Sequence, residues 1–367
     1  MRLTIDAIPL LFRSAGVKNY LYHWIHHLRR QPAAPDIRLF PWLGDLPPLD
    51  HQAPLAGPVG TFLRLGSFFV WNRLPPVIGE PLVPAGGIFH SAKLLHPPRR
   101  TRLTATLHDF TCWLFPEMHQ PANVAAEKLY AERILRRADG LIAVSECTRH
   151  DAIRLLGLKP EKIRVIYHGI DEAYFQAGPA ASRCARAALG MERPYLLYVG
   201  TVEPRKNVDL LLDAWAALPP SIAEAHDLAL AGPLGWASPR TLARLQTPPA
   251  GVRYLGYVAE ALLPGLFAGA AAFVYPSLYE GFGFPVAQAM ASGVPVITSA
   301  VSCLPEITGN AALLIDPRSV TELSAAITKL LTSPSLSANL AVRARAISAR
   351  FTWTACAAES LDFFQSL

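Results

Sequence analysis

Short apolar segments of strand length alternate with helix-like segments through most of the 367-residue chain. In the first half, 103–107 and 140–144 are predicted strands, with a predicted helix at 123–138 between them. The second half repeats this order, with a strand at 195–199 followed by a helix at 207–218. Strands that alternate with helices in this way pair in parallel, because each helix carries the chain back across a face of the sheet. The sequence therefore predicts an α/β protein built from doubly wound parallel sheets.

The length of the chain predicts two domains, since a single hydrophobic core rarely grows beyond about 250–300 residues. The composition turns to Ala, Gly and Ser over 178–193, and we place the boundary there. The predicted domains are 1–178 and 179–350. A last amphipathic helix falls within 351–367, and we expect it to pack back on the first domain.

Charge is distributed unevenly between the two halves. Residues 1–193 contain 24 Lys and Arg against 16 Asp and Glu, a net charge of +8. Residues 194–367 contain 10 against 12, a net charge of −2. A basic N-terminal half suggests a polyanionic partner, which could be an anionic membrane surface, a lipid phosphate or a nucleic acid. A basic surface without any such partner is the alternative.

Cysteine spacing and hydropathy limit the cellular setting. Five scattered cysteines without CxxC spacing argue against a disulfide framework or a zinc site and favour a reducing compartment. The N-terminus enters a predicted strand at 3–11 and lacks the features of a signal peptide. Two uncharged stretches, 261–279 and 281–305, are long enough to span a bilayer, but Gly and Pro interrupt both. We predict buried strands and helices there, no transmembrane helix, and a cytoplasmic protein.

The first helix is predicted at 19–30, where apolar and aromatic residues fall at helical spacing. The Pro-rich segment 32–98 gives no clear pattern of strands and helices. Within it, 60–73 is a candidate amphipathic helix that combines aromatic residues with Arg. We expect this helix to pack in the core, and we keep open that it rests on a membrane or lines an acceptor groove.

The segment 275–306 combines a carboxylate with a Gly-rich turn. A predicted strand end carries Glu280, the Gly-rich loop 281–284 follows, and a helix is predicted over 286–292. Pro just before this helix and Gly just after it are typical of helix ends. The chain then returns as a predicted strand over 294–299.

A turn that runs into a helix N-terminus can bind an anion such as a phosphate or diphosphate. Several backbone N–H groups point at one place there, and the helix dipole favours negative charge. Gln288 lies one turn into the predicted helix and adds an amide to this candidate anion site. The alternative is an ordinary tight turn between a strand and a helix.

Three further candidate site residues follow two of the predicted strands. Arg205 and Lys206 follow the strand at 195–199, and adjacent cations there suit a diphosphate. Two cations at the start of a helix oppose the helix dipole unless an anion binds beside them. His108 follows the strand at 103–107, at the edge where parallel sheets place their ligands.

Several segments together resemble the retaining glycosyltransferases of family 4. In the second half these are GTVEPRKNVDLLLDAW, SLYEGFGFPVAQAMASGVPVITS and SCLPEITGNAALLIDP. In the first half they are SAGVKNYLYHWIHHL, TATLHDFTCWLFPE, AVSECTRHDAIRLLG and VIYHGID. The resemblance implies a GT-B fold, with two Rossmann-like domains that face a cleft. It also implies transfer of a hexose from a nucleotide-diphosphate sugar to a glycan or lipid-linked acceptor.

The resemblance also assigns roles to individual residues. The catalytic residues it implies are His108, Glu280, Arg205 and Lys206. The donor-binding residues it implies are Gly16, Arg205, Lys206, Glu280, Gly281, Phe282, Gly283, Phe284 and Gln288. No metal, no cofactor and no nucleic acid partner is implied, because the cation pair and the helix dipole take over stabilisation of the leaving group. Peripheral contact with an anionic inner membrane face is compatible with this interpretation.

One position departs from the family pattern, since Gln288 stands where the second glutamate of the E-x7-E motif is expected. Gln keeps a carbonyl acceptor for the ribose hydroxyls but loses the charge, a difference of about 1 kcal/mol, or fivefold in donor affinity. We interpret this as tuning of donor affinity. The alternatives are another GT-B enzyme, such as an epimerase or a phosphorylase, and a non-catalytic nucleotide-sugar-binding protein. Mannose is the first-ranked sugar.

Overall fold

The computed structural model describes residues 1–12, 16–51, 53–73, 87–96, 100–236 and 238–367. The chain divides into two compact units. The first unit contains Met1–Gly169 together with Trp353–Leu367, and the second contains Ile170–Thr352. The chain thus passes into the second unit upstream of the boundary predicted at residue 178.

A six-stranded parallel sheet forms the centre of the first unit, in the order β2-β1-β3-β4-β5-β6. Its strands are β1 (Arg2–Asp6), β2 (Asp36–Phe40), β3 (Ile88–Ser91), β4 (Arg102–Leu107), β5 (Gly140–Ala143) and β6 (Ile163–Val165). Every residue of β3 and β5 is buried, because helices cover parallel sheets on both faces.

The second unit has its own six-stranded parallel sheet, in the order β12-β11-β10-β7-β8-β9. Its strands are β7 (Tyr195–Val199), β8 (Asp227–Ala231), β9 (Val252–Gly256), β10 (Ala272–Tyr275), β11 (Val296–Ser299) and β12 (Ala312–Ile315). The strand order puts β10 directly beside β7, although other strands lie between them in the sequence.

Helices connect the strands in both units. The first α-helices are α1 (Gly16–Arg29), α2 (Pro58–Arg73), α3 (Thr111–Leu114), α4 (Pro121–Arg133) and α5 (Glu146–Leu156). Those of the second unit are α6 (Glu172–Gln176), α7 (Pro179–Ala188), α8 (Val208–Ala216), α9 (Pro220–Ala223), α10 (Pro239–Gln246), α11 (Leu263–Ala268), α12 (Phe284–Ala291), α13 (Leu304–Thr308), α14 (Val320–Thr332) and α15 (Pro334–Ser348). The last helix is α16 (Trp353–Gln365). Short 3-10 helices lie at Ile8–Leu11, Pro116–Met118, Leu135–Arg137, Pro160–Lys162, Pro204–Lys206 and Glu260–Leu262.

The strand predicted over 3–11 is wrong in its second half, because β1 ends at Asp6 and a 3-10 helix follows. The buried Asp6 carboxylate accepts a hydrogen bond from the Ile8 N–H at 3.1 Å, which turns the chain out of the strand direction. Its other oxygen accepts the Leu94 N–H at 2.7 Å, and this joins the loops that follow β1 and β3. A side chain that caps its own backbone competes with continued strand pairing.

Helix α2 confirms the helix predicted at 60–73, but the prediction that it packs in the core is wrong for its outer face. Thr61 and Trp71 are buried, whereas Phe62 and Phe69 are exposed. Apolar residues occur all around this helix, so the sequence could not show which side faces the protein.

Helix α16 belongs to the first unit and packs against α1. The Trp24 indole N–H donates to Ser360 Oγ at 2.9 Å, and both side chains are buried. Gly140 at the start of β5 allows a close approach, since a Cβ there would lie 2.7 Å from side-chain atoms of Phe363 and Leu367. In the described part of the chain, no helix is both long enough and apolar enough to cross a bilayer.

Candidate active site

The structure brings Arg205, Lys206 and Glu280 together at the carboxyl edge of the second sheet. Arg205 and Lys206 lie in the 3-10 helix that follows β7, and Glu280 lies in the loop between β10 and α12. Lys206 Nζ is 2.5 Å from Glu280 Oε1, and Arg205 Nη1 is 2.9 Å from the same oxygen. The pairing of β10 with β7 places these distant segments side by side.

Glu280 is held by donors that all reach one of its two oxygens. Besides the two cations, Oε1 accepts the Tyr275 hydroxyl at 3.1 Å and the Ser277 hydroxyl at 2.7 Å. Burial alone would raise the pKa of Glu280, but the charges of Arg205 and Lys206 and these hydrogen bonds hold it at about 2. Oε2 accepts no hydrogen bond from the described residues, so an ionised carboxylate keeps one oxygen for a ligand.

Glu203 balances the charge of the cluster. Its carboxylate is buried and lies 2.8 Å from Arg205 Nη2, and Arg205 Nη1 also donates to the Tyr279 carbonyl at 2.6 Å. Burial and the neighbouring Arg205 lower the pKa of Lys206, while Glu280 and Glu203 oppose that shift. The Lys206 ammonium has three donors and gives one to Glu280, so two are left for an anion.

The Gly-rich loop enters α12 through a residue in the left-handed region. Gly283, the N-cap of α12, has φ +80°, and Pro occupies the first turn of the helix as the sequence predicts. The Glu280 N–H donates to Ser302 Oγ at 3.0 Å, so the segment before α13 fixes the start of the loop. The loop residues Gly281 and Phe282 are buried, and Phe284 is half-buried.

Gln288 lies on α12, one turn after the loop. Its side chain is half-buried, and its amide makes no hydrogen bond to the described residues. The amide therefore keeps both its acceptor and its donors for a ligand.

The remaining predicted site residues, Gly16 and His108, lie in the first unit. His108 follows β4, is half-buried, and its ring nitrogens make no hydrogen bond to the described residues. Burial lowers its pKa to about 4, an effect that Lys93 strengthens and Asp109 opposes. His108 is therefore neutral at pH 7. Gly16 is the exposed first residue of α1.

Aromatic rings and hydroxyls surround His108. The Tyr20 ring from α1 contacts His108 edge-on at 5.1 Å between centroids and contacts His168 at 4.5 Å. The Tyr20 hydroxyl is 3.1 Å from Thr106 Oγ1, which is also 3.0 Å from His90 Nε2. These contacts join α1 to β3 and β4 beside His108.

Sequence reasoning missed four residues that shape the second-unit site: Glu203, Tyr275, Ser277 and Ser302. Glu203 stands two positions before Arg205, where an acidic residue among cations was a usable signal. Tyr275 and Ser277 flank a Pro just before Glu280. The sequence there indicates only the end of a strand, not a contact with Glu280. Ser302 has φ +54° and lies in a different loop. No local sequence pattern identifies it as part of the site. No group of three or more His, Cys, Asp or Glu side chains in the described ranges is arranged to hold a metal ion.

Comparison with known proteins identifies the family. The family model "Glycosyltransferase Family 4" matches residues 14–174, and the model "Glycosyl transferases group 1" matches residues 185–347. The chain is 34% identical over 283 residues to the O-antigen chain mannosyltransferase B of Escherichia coli, a match that covers 76% of this chain and 74% of that relative. This chain belongs to glycosyltransferase family 4. It is a glycosyltransferase.

Solved structures show the fold of the enzyme. Sucrose-phosphate synthase from Thermosynechococcus elongatus matches 100% of this chain and 98% of its own, with a TM-score of 0.75 at 21% identity. Anabaena HepE in complex with UDP-glucose matches 100% of this chain and 99% of its own, with a TM-score of 0.68 at 21% identity. The enzyme has the GT-B fold class, with two Rossmann-like α/β domains.

Proposed function

We propose that the enzyme transfers mannose, with retention of the anomeric configuration, from a nucleotide-diphosphate sugar to a glycan or lipid-linked glycan. The observation that carries this proposal is the buried cluster of Arg205, Lys206 and Glu280 at the sheet edge. A relative named as an O-antigen chain mannosyltransferase supports mannose and a polysaccharide acceptor. A neighbour of the same fold in complex with UDP-glucose supports a nucleotide-sugar donor.

In this proposal the nucleotide-sugar binds to the second unit through side-chain groups that make no hydrogen bond to the described residues. The diphosphate accepts hydrogen bonds from the two remaining N–H groups of the Lys206 ammonium. The charge of Arg205 and the dipole of α12 stabilise its negative charge. Glu280 Oε2 accepts a hydroxyl of the sugar, and the backbone of Phe282, Gly283 and Phe284 lines the sugar and the phosphates. The Gln288 amide binds the ribose hydroxyls.

The chemistry proposed is a front-face displacement. The acceptor hydroxyl attacks the anomeric carbon on the face from which the diphosphate leaves. The bond from that carbon to the phosphate oxygen breaks, and the hydroxyl proton passes to the departing phosphate. Arg205 and Lys206 stabilise the negative charge that develops on the leaving group, so we propose that no metal takes part.

The first unit contributes the acceptor side in this proposal. Gly16 lies near the phosphates and the acceptor, and His108, as a neutral imidazole, hydrogen-bonds the sugar near the reacting carbon. That His108 and Glu280 act on the same bound donor stays a prediction. A lipid-linked acceptor places the work of the enzyme at the cytoplasmic face of a membrane, and we propose peripheral contact with that anionic surface.

Product analysis tests the proposal together with Lys206→Ala. Wild-type protein given GDP-mannose and a glycan acceptor is expected to form an α-linked product, identified by NMR of the new anomeric proton. Lys206→Ala is expected to lose about 2–4 kcal/mol of transition-state stabilisation, 30-fold or more in kcat/KM. The exposed Lys329 on α14 provides the matched control, and Lys329→Ala is expected to transfer at the wild-type rate.

The same experiment separates the alternatives. Conversion of the nucleotide-sugar without any acceptor would show an epimerase, and sugar phosphate formed from a glycan would show a phosphorylase. Thermal stabilisation by a nucleotide-sugar without turnover would show a binding protein, since a ligand at 100 times its Kd adds about 2.7 kcal/mol. Equal kcat/KM for Lys206→Ala and Lys329→Ala would remove the diphosphate role of Lys206.

A further inference from the structure

Helix α2 of the first unit presents an apolar stripe to solvent. Its large side chains keep 55–77% of their surface exposed: Val59, Phe62, Leu63, Phe69 and Val70. These positions and the exposed Gly66 recur at helical spacing, so they lie on one side of the 16-residue helix. We call this set the α2 stripe. Contiguous exposed apolar surface of this kind marks an interaction site.

The opposite side of α2 anchors the helix to the first unit. The Trp71 indole N–H donates to the His96 carbonyl at 2.9 Å, and Asn72 Oδ1 accepts the Leu95 N–H at 2.9 Å. Phe68 packs against the hydrophobic core of the unit. The α2 stripe is therefore a fixed outward surface of the folded unit.

The α2 stripe ends in a cation and has no acidic residue in the sequence around it. Residues 51–79 contain no Asp or Glu, and Arg73 is exposed at the end of the helix. Apolar surface that ends in Arg and has no acidic neighbour in sequence complements an anionic bilayer.

We propose that the α2 stripe inserts into the headgroup and upper acyl region of an anionic bilayer, with Arg73 at the level of the headgroups. This inference rests on the membrane contact proposed above and names the surface that makes it. Insertion of apolar side chains differs from adsorption through basic residues alone, because binding then depends on the Phe side chains as well as on lipid charge.

Flotation of the full-length protein with lipid vesicles tests the inference. We expect the protein to float with vesicles of phosphatidylcholine containing one-quarter phosphatidylglycerol, and to float more weakly with phosphatidylcholine alone. The double variant Phe62→Gln/Phe69→Gln is expected to bind the anionic vesicles at least about tenfold more weakly, since two large apolar groups no longer leave water. The conservative variant Phe62→Leu/Phe69→Leu is expected to retain binding.

Val342 provides the matched control, because it is an equally exposed apolar residue on α15 of the second unit. Val342→Gln is expected to bind like the wild type. Wild-type binding by Phe62→Gln/Phe69→Gln, or an equal loss in Val342→Gln, would overturn insertion by the α2 stripe. A third result would also overturn it: neither protein floats, and sedimentation velocity shows a dimer for the wild type but a monomer for the double variant. The α2 stripe would then bind a second copy of the chain.

The readouts keep this inference separate from the proposed function. Transfer to a water-soluble acceptor requires no vesicles, and the double variant is expected to perform it at the wild-type rate. A wild type that floats through the α2 stripe but transfers no sugar would overturn the proposed function only. A wild type that transfers sugar and does not float would overturn the inference only.

Discussion

The buried Glu280 carboxylate has a paired charge and also keeps one oxygen available for a ligand, two properties that usually conflict. Burial costs free energy unless the charge is paired, and Arg205, Lys206 and two hydroxyls supply the pairing through Oε1. Because all four donors reach the same oxygen, Oε2 stays available without leaving the charge uncompensated. A donor sugar would therefore meet a carboxylate that is already ionised and oriented.

At Gln288 the sequence departs from its family, and the reverse change is a test. Gln288→Glu is expected to tighten donor binding by about 1 kcal/mol, or fivefold in KM, since a carboxylate accepts stronger hydrogen bonds from ribose hydroxyls than an amide does. Donor KM at saturating acceptor measures this. The exposed Gln246 on α10 supplies the control variant Gln246→Glu. A KM that rises in Gln288→Glu alone would show that repulsion of the diphosphate outweighs the gain.

Among the elements, α12 depends on the geometry of its first residues. Gly283 has φ +80°, and a Cβ there would lie 3.0 Å from Leu304 Cδ2. The left-handed region disfavours any residue with a side chain, and α13 limits how far the loop can move. The predicted anion site is therefore set by backbone conformation as much as by charge.

Gly283→Ala is expected to lower the free energy of unfolding by about 1–2 kcal/mol and to weaken donor binding. Urea denaturation and donor KM measure the two effects. Gly178, the N-cap of α7, has φ −124° and open space around its Cβ position, so Gly178→Ala controls for the change in composition. Equal stability of the two variants would show that the loop accepts a side chain at Gly283 without strain.

For the whole molecule, the two units differ in their response to acid. Burial lowers the pKa of five histidines in the first unit: to about 3 for His90, to about 4 for His108, well below its ordinary value for His168, and less for His26 and His96. The unfolded chain binds these protons near pH 6.5, so the first unit loses stability as pH falls below 6.5. In the second unit, Glu280 has a pKa of about 2, and its contribution is lost only as pH falls below 4.5.

Hydrogen exchange on the full chain at pH 7 and pH 5, corrected for intrinsic exchange rates, measures this difference. Peptides from β3 and β4 are expected to lose protection at pH 5, while those from β7 and β10 keep it. His90 alone accounts for about 2 kcal/mol at pH 5, from the difference between its folded and unfolded pKa. Equal loss of protection in both sheets would contradict assignment of the effect to the buried histidines.

Local patterns determined the elements and much of the site. Apolar runs that alternate with amphipathic segments identified two parallel sheets, and Gly and Pro marked the ends of α12, because periodicity and turn chemistry act within a few residues. Cations at the end of one strand and a carboxylate at the end of another identified Arg205, Lys206 and Glu280. The second sheet then brought these three together.

Tertiary structure alone decided how these residues share their contacts and which surfaces stay exposed. The order of the second sheet placed β10 beside β7 and so made Glu203, Ser277 and Ser302 part of one network. Asp6, which ends β1 by accepting the Ile8 N–H, also accepts the N–H of Leu94 in a loop far along the chain. Helix α2 is apolar on both sides, so only its packing through Trp71 shows that the other side faces solvent. Contacts between distant segments depend on strand order and helix rotation, which short-range pattern does not encode.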